Sequence, residues 1–103
     1  MSEPFWRSDS CVVTVGYAVG GALEFHGDDR RAFGTPGHAY EYVVTVPPAQ
    51  FGALRRALHV DDGADVLAEV RTRADDVMAE GESSWLRRRG VECLVNVWSS
   101  PPD

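Results

Sequence analysis

Short apolar stretches rich in β-branched residues predict four β-strands. The first, CVVTVGY at residues 11–17, is followed by a glycine-pair turn and by ALEFH at residues 22–26, which predicts a returning strand. The third, YEYVVTV at residues 40–46, alternates so that one face is apolar and the other is mixed. The last is VECLVNVW at residues 91–98. The glycine- and charge-rich segment 27–38 is predicted to be a long loop.

Apolar residues at helical spacing predict three helices ahead of the last strand. The first is PAQFGALRRAL at residues 48–58, which begins with a proline suited to a first helical turn. The third is short and carries Trp85. We expect Ser83 or Ser84 to cap it and Gly90 to end it.

The second helix is predicted from DGADVLAEVRTRADDVMAEG at residues 62–81, which combines an apolar stripe with an acidic side. Asp62 is the expected N-cap, because its carboxylate can accept from the free amides of the first turn. Gly81 is expected to end the helix. The apolar stripe comprises Val66, Leu67, Val70, Ala74, Val77 and Met78.

This order of elements predicts an α+β fold in a single domain, residues 1–103. We expect a four-stranded antiparallel sheet with two main helices and one short helix packed on one face. The other face is expected to be open, or partly covered by the N-terminal arm and the long loop. Residues 1–9 and 99–103 are expected to be flexible ends, although Phe5 and Trp6 are suited to packing in a groove.

Negative charge is concentrated in the second half of the chain. The net charge is −6, with six acidic residues and five arginines in residues 1–60 against ten acidic residues and five arginines in residues 61–103. An acidic surface repels phosphate, so we expect no nucleic-acid partner. The same surface attracts a cationic protein, or only keeps the chain in solution.

The sequence contains no apolar run long enough for a signal peptide or a membrane span. We therefore expect a cytoplasmic protein without a membrane partner. Cys11 and Cys93 lie within predicted strands and are expected to be free, buried thiols in a reducing compartment.

The acidic side of the second helix is the first candidate site. Between residues 61 and 82 the sequence has eight acidic residues and two arginines, which is typical of a solvated helix surface or of a docking face for a basic protein. Tryptophan is a favoured interface anchor, and Trp98 near the C-terminus is awkward to bury completely. The candidate partner-binding residues are Asp61, Asp62, Asp65, Glu69, Asp75, Asp76, Glu80 and Trp98.

A second candidate site lies around the 27–38 loop, where His26, His38, Tyr40 and Glu41 could bind a small ligand. Together with Asp28 and Asp29, the histidines and Glu41 supply donor atoms for a metal ion, but their spacing matches no metal-binding signature. No G-x-S-x-G motif or phosphate-binding loop is present, and no Cys–His pair has a spacing that suggests a nucleophile. We therefore predict no catalytic residues, no metal and no cofactor.

Residues 40–99 resemble small uncharacterised bacterial proteins, some of which are similar to immunity proteins of polymorphic toxin systems. The residues that carry the resemblance are Tyr40, Tyr42, Pro47, Asp65-Val66-Leu67, Trp85-Leu86, Gly90 and Trp98-Ser99. None of them is catalytic, and the 27–38 loop has no counterpart. The resemblance implies tight binding and blocking of one toxin, without turnover or cofactor.

The sequence therefore favours a non-enzymatic protein-binding module that neutralises a basic partner protein, and the resemblance implies a module of the immunity or antitoxin type. Two alternatives stay open at this point. One is a small-molecule-binding or enzymatic domain with its site under the 27–38 loop. The other is a structural subunit that dimerises through its open sheet face, so that the chain is a monomer or a homodimer.

Overall fold

Five strands form one antiparallel sheet in the computed structural model, which describes residues 4–8, 11–29 and 39–100. The strands are β1 (Trp6–Arg7), β2 (Cys11–Tyr17), β3 (Leu23–Asp29), β4 (Ala39–Val46) and β5 (Leu94–Ser100), and they lie side by side in chain order. A 3₁₀ turn at Pro48–Gln50 leads into α1 (Phe51–Leu58), followed by α2 (Val66–Arg71), α3 (Ala74–Glu80) and α4 (Glu82–Arg88). The α+β class is confirmed. The described residues hold five strands and four α-helices, where four strands and three helices were predicted.

The additional strand is β1, in the segment predicted to be a flexible arm. Trp6 pairs with Val13, and the Phe5 amide donates to the Val13 carbonyl over 2.7 Å. The Phe5 ring packs edge-on against Phe25, with centroids 5.5 Å apart, and is buried. Burial of this ring holds the N-terminal segment against the sheet. At the other end of the chain, residues 99–100 belong to β5.

One face of the sheet carries the hydrophobic core, and the helices pack on that face. Inward-facing residues alternate along β2, β3 and β4, and the sequence pattern predicts this alternation for β4. The helices contribute apolar residues that are equally buried. The core comprises Phe5, Val13, Val15, Leu23, Phe25, Val44, Val46, Leu54, Leu58, Val66, Val70, Val77, Trp85, Leu86 and Val91.

The stretch 62–81 forms two helices, so the prediction of one long helix is wrong. The N-cap is Asp65, whose side chain accepts from the Leu67 amide over 3.3 Å, and Asp62 lies outside the helix. The break falls at residues 72–73, where the Thr72 hydroxyl donates to the Glu69 carbonyl over 2.7 Å. Such side-chain bonding to the backbone competes with helix continuation.

Three further boundaries differ from the prediction. Helix α4 begins at Glu82, after Gly81 at positive φ, so neither Ser83 nor Ser84 is its cap. Strand β5 begins at Leu94, because Val91 turns into the core and is almost completely buried. Cys93 therefore lies before the strand. At the other end of the sheet, β3 continues through residues 27–29, which were assigned to the loop.

Neither cysteine is in a disulfide, and each is half-buried. Cys11 lies in β2 and Cys93 precedes β5, so two strands separate them across the sheet. Among the described residues, no helix is long and apolar enough to cross a membrane.

Candidate functional site

The face of the sheet opposite the helices is open in the described part of the chain. Strand register sets its side chains in rows, because residues that pair across strands point to the same face. Arg7 of β1 pairs with Val12 and begins the row nearest the β2 N-terminus. From β2 to β5 this row runs Val12–Asp28–Glu41–Trp98. We call these four residues the acidic row.

Two carboxylates lie side by side in the acidic row. Asp28 pairs directly with Glu41 across β3 and β4, and Trp98 pairs with Glu41 across β4 and β5. Side chains in such pairs are about 5 Å apart at Cβ, so like charges placed opposite each other repel. Asp28 is half-buried, whereas Glu41 is exposed. Glu41 is therefore the carboxylate of this pair that a cation can reach from solvent.

A recess of about 700 Å³ lies over the acidic row. Its walls include Thr14, His26 and Val43 from the neighbouring positions of the same face. Trp98 forms one side, with 55% of its surface exposed. An exposed indole beside the Glu41 carboxylate can receive a cation on its ring face while the carboxylate accepts its hydrogen bonds.

His26 is engaged along its own strand. Its Nε2 lies 3.2 Å from Oε1 of Glu24, which is two residues away and on the same face. More than half of the His26 side chain is exposed. No cluster of three His, Cys, Asp or Glu side chains in the described residues is arranged to hold a metal ion. The recess therefore offers negative charge and hydrogen-bond acceptors.

The structure separates the predicted ligand-binding residues. His26 and Glu41 lie on the open face and line the recess. Tyr40 lies one position further along β4, on the helix face, where its ring centroid is 6.0 Å from that of Tyr42. His38 falls outside the described residues, as does the rest of the loop after Asp29.

The predicted partner-binding residues are also divided between two faces. Trp98 lies on the open face, whereas the seven acidic residues lie on the helix side of the sheet. Two of these carboxylates are engaged within the chain. Asp65 accepts from the Tyr17 hydroxyl, and Glu80 binds Arg88 at 3.3 Å and Arg89 at 3.0 Å.

The arginine run Arg87–Arg89 lies at the C-terminal end of α4, and Arg88 and Arg89 both contact Glu80 of the same chain. Arg89 also lies over the Trp85 ring, with its guanidinium carbon 4.4 Å from the ring centroid, and donates to the Trp85 carbonyl over 3.1 Å. The eighth acidic residue of the stretch, Glu82, is buried beneath the sheet rather than on the helix surface. Asp61, Asp62, Asp75 and Asp76 stay exposed.

Sequence reasoning missed the partner of the buried Glu82. The Tyr42 hydroxyl donates to its Oε2 from the facing strand. Burial raises the pKa of Tyr42 strongly, and the hydrogen bond to Glu82 raises it further. The only sequence signal for this contact is the inward position of Tyr42 in the alternating β4.

Comparisons of the chain with protein-family models, with curated proteins and with solved structures found no match.

Proposed function

We propose that this chain is a non-enzymatic binding module that recognises a basic partner protein through the acidic row on its open sheet face. The single observation that carries the proposal is the placement of Asp28, Glu41 and Trp98 side by side in one row. A partner arginine would donate to the exposed Glu41 carboxylate and stack on the neighbouring indole of Trp98.

The electrostatics of the whole chain support the same class of partner. The net charge is −6, and a field of that sign speeds encounter with cationic proteins. Arginine fits the row better than lysine, because a planar guanidinium can contact a carboxylate with two hydrogen bonds and lie flat on an aromatic ring.

The immunity-type form of this proposal adds that binding blocks one toxin protein in the cytoplasm. Its support is the sequence resemblance over residues 40–99, together with a binding face that requires no turnover. The protein encoded beside this chain's gene is the natural first probe. Co-expression should relieve any toxicity of that protein, and the Trp98→Ala variant should not.

A direct test uses synthetic peptides and calorimetry. The peptide acetyl-GRGRGRG-amide should bind, whereas acetyl-GEGEGEG-amide should not. Raising NaCl from about 20 mM to about 200 mM should weaken binding, because the attraction is screened. Trp98→Ala should weaken it by about tenfold through loss of the cation–π contact.

Two isosteric variants distinguish the acidic row from general charge attraction. Glu41→Gln and Asp75→Asn each remove one exposed negative charge, the first on the open face and the second on the helix side. We expect Glu41→Gln to weaken peptide binding by about fivefold and Asp75→Asn to leave it nearly unchanged. Equal effects of the two variants would contradict the assignment of the site to the open face.

The recess also supports a second candidate function. A volume of about 700 Å³ falls in the range of small-molecule sites, roughly 300–1,000 Å³. A small cation such as agmatine could occupy it in place of a protein side chain. Saturable binding of agmatine at least as tight as that of the arginine peptide would favour this alternative.

A further inference from the structure

Strand β5 is a sheet edge with exposed apolar side chains on both of its faces. Leu94 and Trp98 are 63% and 55% exposed on the open face. Val95 and Val97 are 39% and 50% exposed on the helix face, so the described helices cover little of this strand. In the described part of the chain, β4 is the only strand paired with β5.

Natural sheet edges usually carry features that prevent pairing with another chain, such as lysine, proline, a bulge or a very short strand. The opposite edge of this sheet follows that rule, since β1 has only two residues. Strand β5 has seven residues, LVNVWSS, without a charge or a proline. It therefore presents an available row of backbone donors and acceptors flanked by apolar side chains.

We infer that β5 pairs antiparallel with β5 of a second copy of this chain, with the two-fold axis at Asn96. In this register Leu94 lies opposite Trp98 of the other copy, and Val95 lies opposite Val97. Apolar residues then face apolar residues on both sides of the sheet, and the amide of Asn96 faces its own counterpart on the axis. Cross-strand aromatic–aliphatic and valine pairs stabilise sheets.

The neighbouring registers pair these residues poorly. An axis at Val97 places Leu94 opposite Ser100 and Asn96 opposite Trp98. An axis at Val95 places Trp98 opposite Glu92. The Asn96 register alone matches the apolar residues with one another.

Charge and area both favour a second copy as the occupant. Each chain carries −6, so two copies approach with least repulsion along a segment that has no carboxylate. In the Asn96 register the nearest acid, Glu92, lies opposite Ser100. The four apolar side chains expose on the order of 400 Å² per copy, divided between the two faces of the strand. With the paired backbone, the interface totals on the order of 1,000 Å², about the smallest area found for a specific interface.

Sedimentation of the full chain tests the dimer. We expect the mass to rise from 11.3 kDa toward twice that value as concentration increases from about 1 to about 300 μM. Val97→Lys should raise the dimer Kd by at least about tenfold, because an edge lysine opposes strand pairing. The matched control is Val19→Lys, which places the same substitution on a fully exposed valine in the β2–β3 turn and should leave the Kd unchanged.

A cross-linking experiment tests the register. In a Cys11→Ala, Cys93→Ala background, mild oxidation should link Asn96→Cys chains into a covalent dimer at least about tenfold faster than Val97→Cys chains. Faster cross-linking of Val97→Cys would overturn the register. A monomer at all concentrations, or assembly beyond a dimer, would overturn the pairing itself. Peptide binding by the Val97→Lys monomer separates this inference from the proposed function, which does not depend on it.

Discussion

Gly27 lies directly opposite Tyr42 across β3 and β4, and the missing side chain of the glycine makes room for the tyrosine ring. A Cβ built at residue 27 would overlap ring carbons Cε1 and Cζ of Tyr42 and lie 2.6 Å from its hydroxyl oxygen. The ring fills this space and directs its hydroxyl to the buried Glu82. The glycine therefore positions the polar contact between the sheet and α4.

Replacing this glycine by alanine should destabilise the fold. We expect Gly27→Ala to lower the free energy of unfolding by about 2–3 kcal/mol, because an added methyl group in a filled space forces the ring aside. Urea denaturation measures the loss. Gly16→Ala is the control, since Gly16 is also in a strand of this sheet but has no atom within 4 Å of the added Cβ. A loss in Gly16→Ala as large as that in Gly27→Ala would refute the steric explanation.

Removing the Tyr42 hydroxyl should leave a buried carboxylate without this donor. We expect Tyr42→Phe to lower the free energy of unfolding by about 1–3 kcal/mol, the cost of an unsatisfied buried polar group. Tyr17→Phe is the matched comparison, because Tyr17 donates to the exposed Asp65. It should cost less than about 1 kcal/mol, since water can replace the lost donor. If the two losses in denaturation experiments were equal, burial of Glu82 would not explain the effect.

The sequence correctly predicts those parts of the fold in which a local pattern repeats. Strands β2 and β4 alternate over seven or eight residues, so their positions follow from the sequence, with bounds equal to the predicted ones or within one residue of them. Strand β1 has two residues and no period, and its place depends on the distant contact between Phe5 and Phe25. At the break at residues 72–73 the Thr72 hydroxyl bonds to the Glu69 carbonyl, a contact that apolar spacing does not reveal.

The N-terminal cap of helix α2 can be tested with a pair of aspartate variants. Asp65 accepts from the Leu67 amide and from the Tyr17 hydroxyl, whereas Asp62 lies in the preceding turn. We expect Asp65→Ala to lower the free energy of unfolding by about 1 kcal/mol, the usual cost of losing an N-cap. Asp62→Ala should change it by less than about 0.5 kcal/mol, as for an ordinary surface substitution. A larger loss in Asp62→Ala, measured by the same urea denaturation, would restore the sequence-based assignment of the cap.

The acidic row was not predictable as a unit, because its members are brought together by strand register. Asp28, Glu41 and Trp98 are far apart in the chain, and a shift of one residue would move any of them to the helix face. The sequence placed His26 and Glu41 in one candidate site and Trp98 in another, and the structure brings all three to one recess. Net charge alone could not show which of the two faces carries paired carboxylates.

The stability of the fold should decrease at alkaline pH. Burial and the hydrogen bond to Glu82 raise the pKa of Tyr42 above its ordinary value of 10.0. Burial likewise raises the pKa of Cys11 and of Cys93 above 9.0. The unfolded chain therefore releases these protons at a lower pH than the folded chain, so the free energy of unfolding falls as pH rises past about 9.

Denaturation from pH 7 to pH 11 measures this decrease in stability. Two variants separate the contribution of the thiol from that of the phenol. Cys11→Ala should reduce the part that begins near pH 9, because it removes a thiol whose pKa is raised. Tyr42→Phe should reduce the part above about pH 10, because the variant has no phenol to ionise. In both variants the free energy of unfolding should still fall with rising pH over the rest of the range. A stability that rose between pH 9 and pH 11 would contradict the raised pKa values and the burial that causes them.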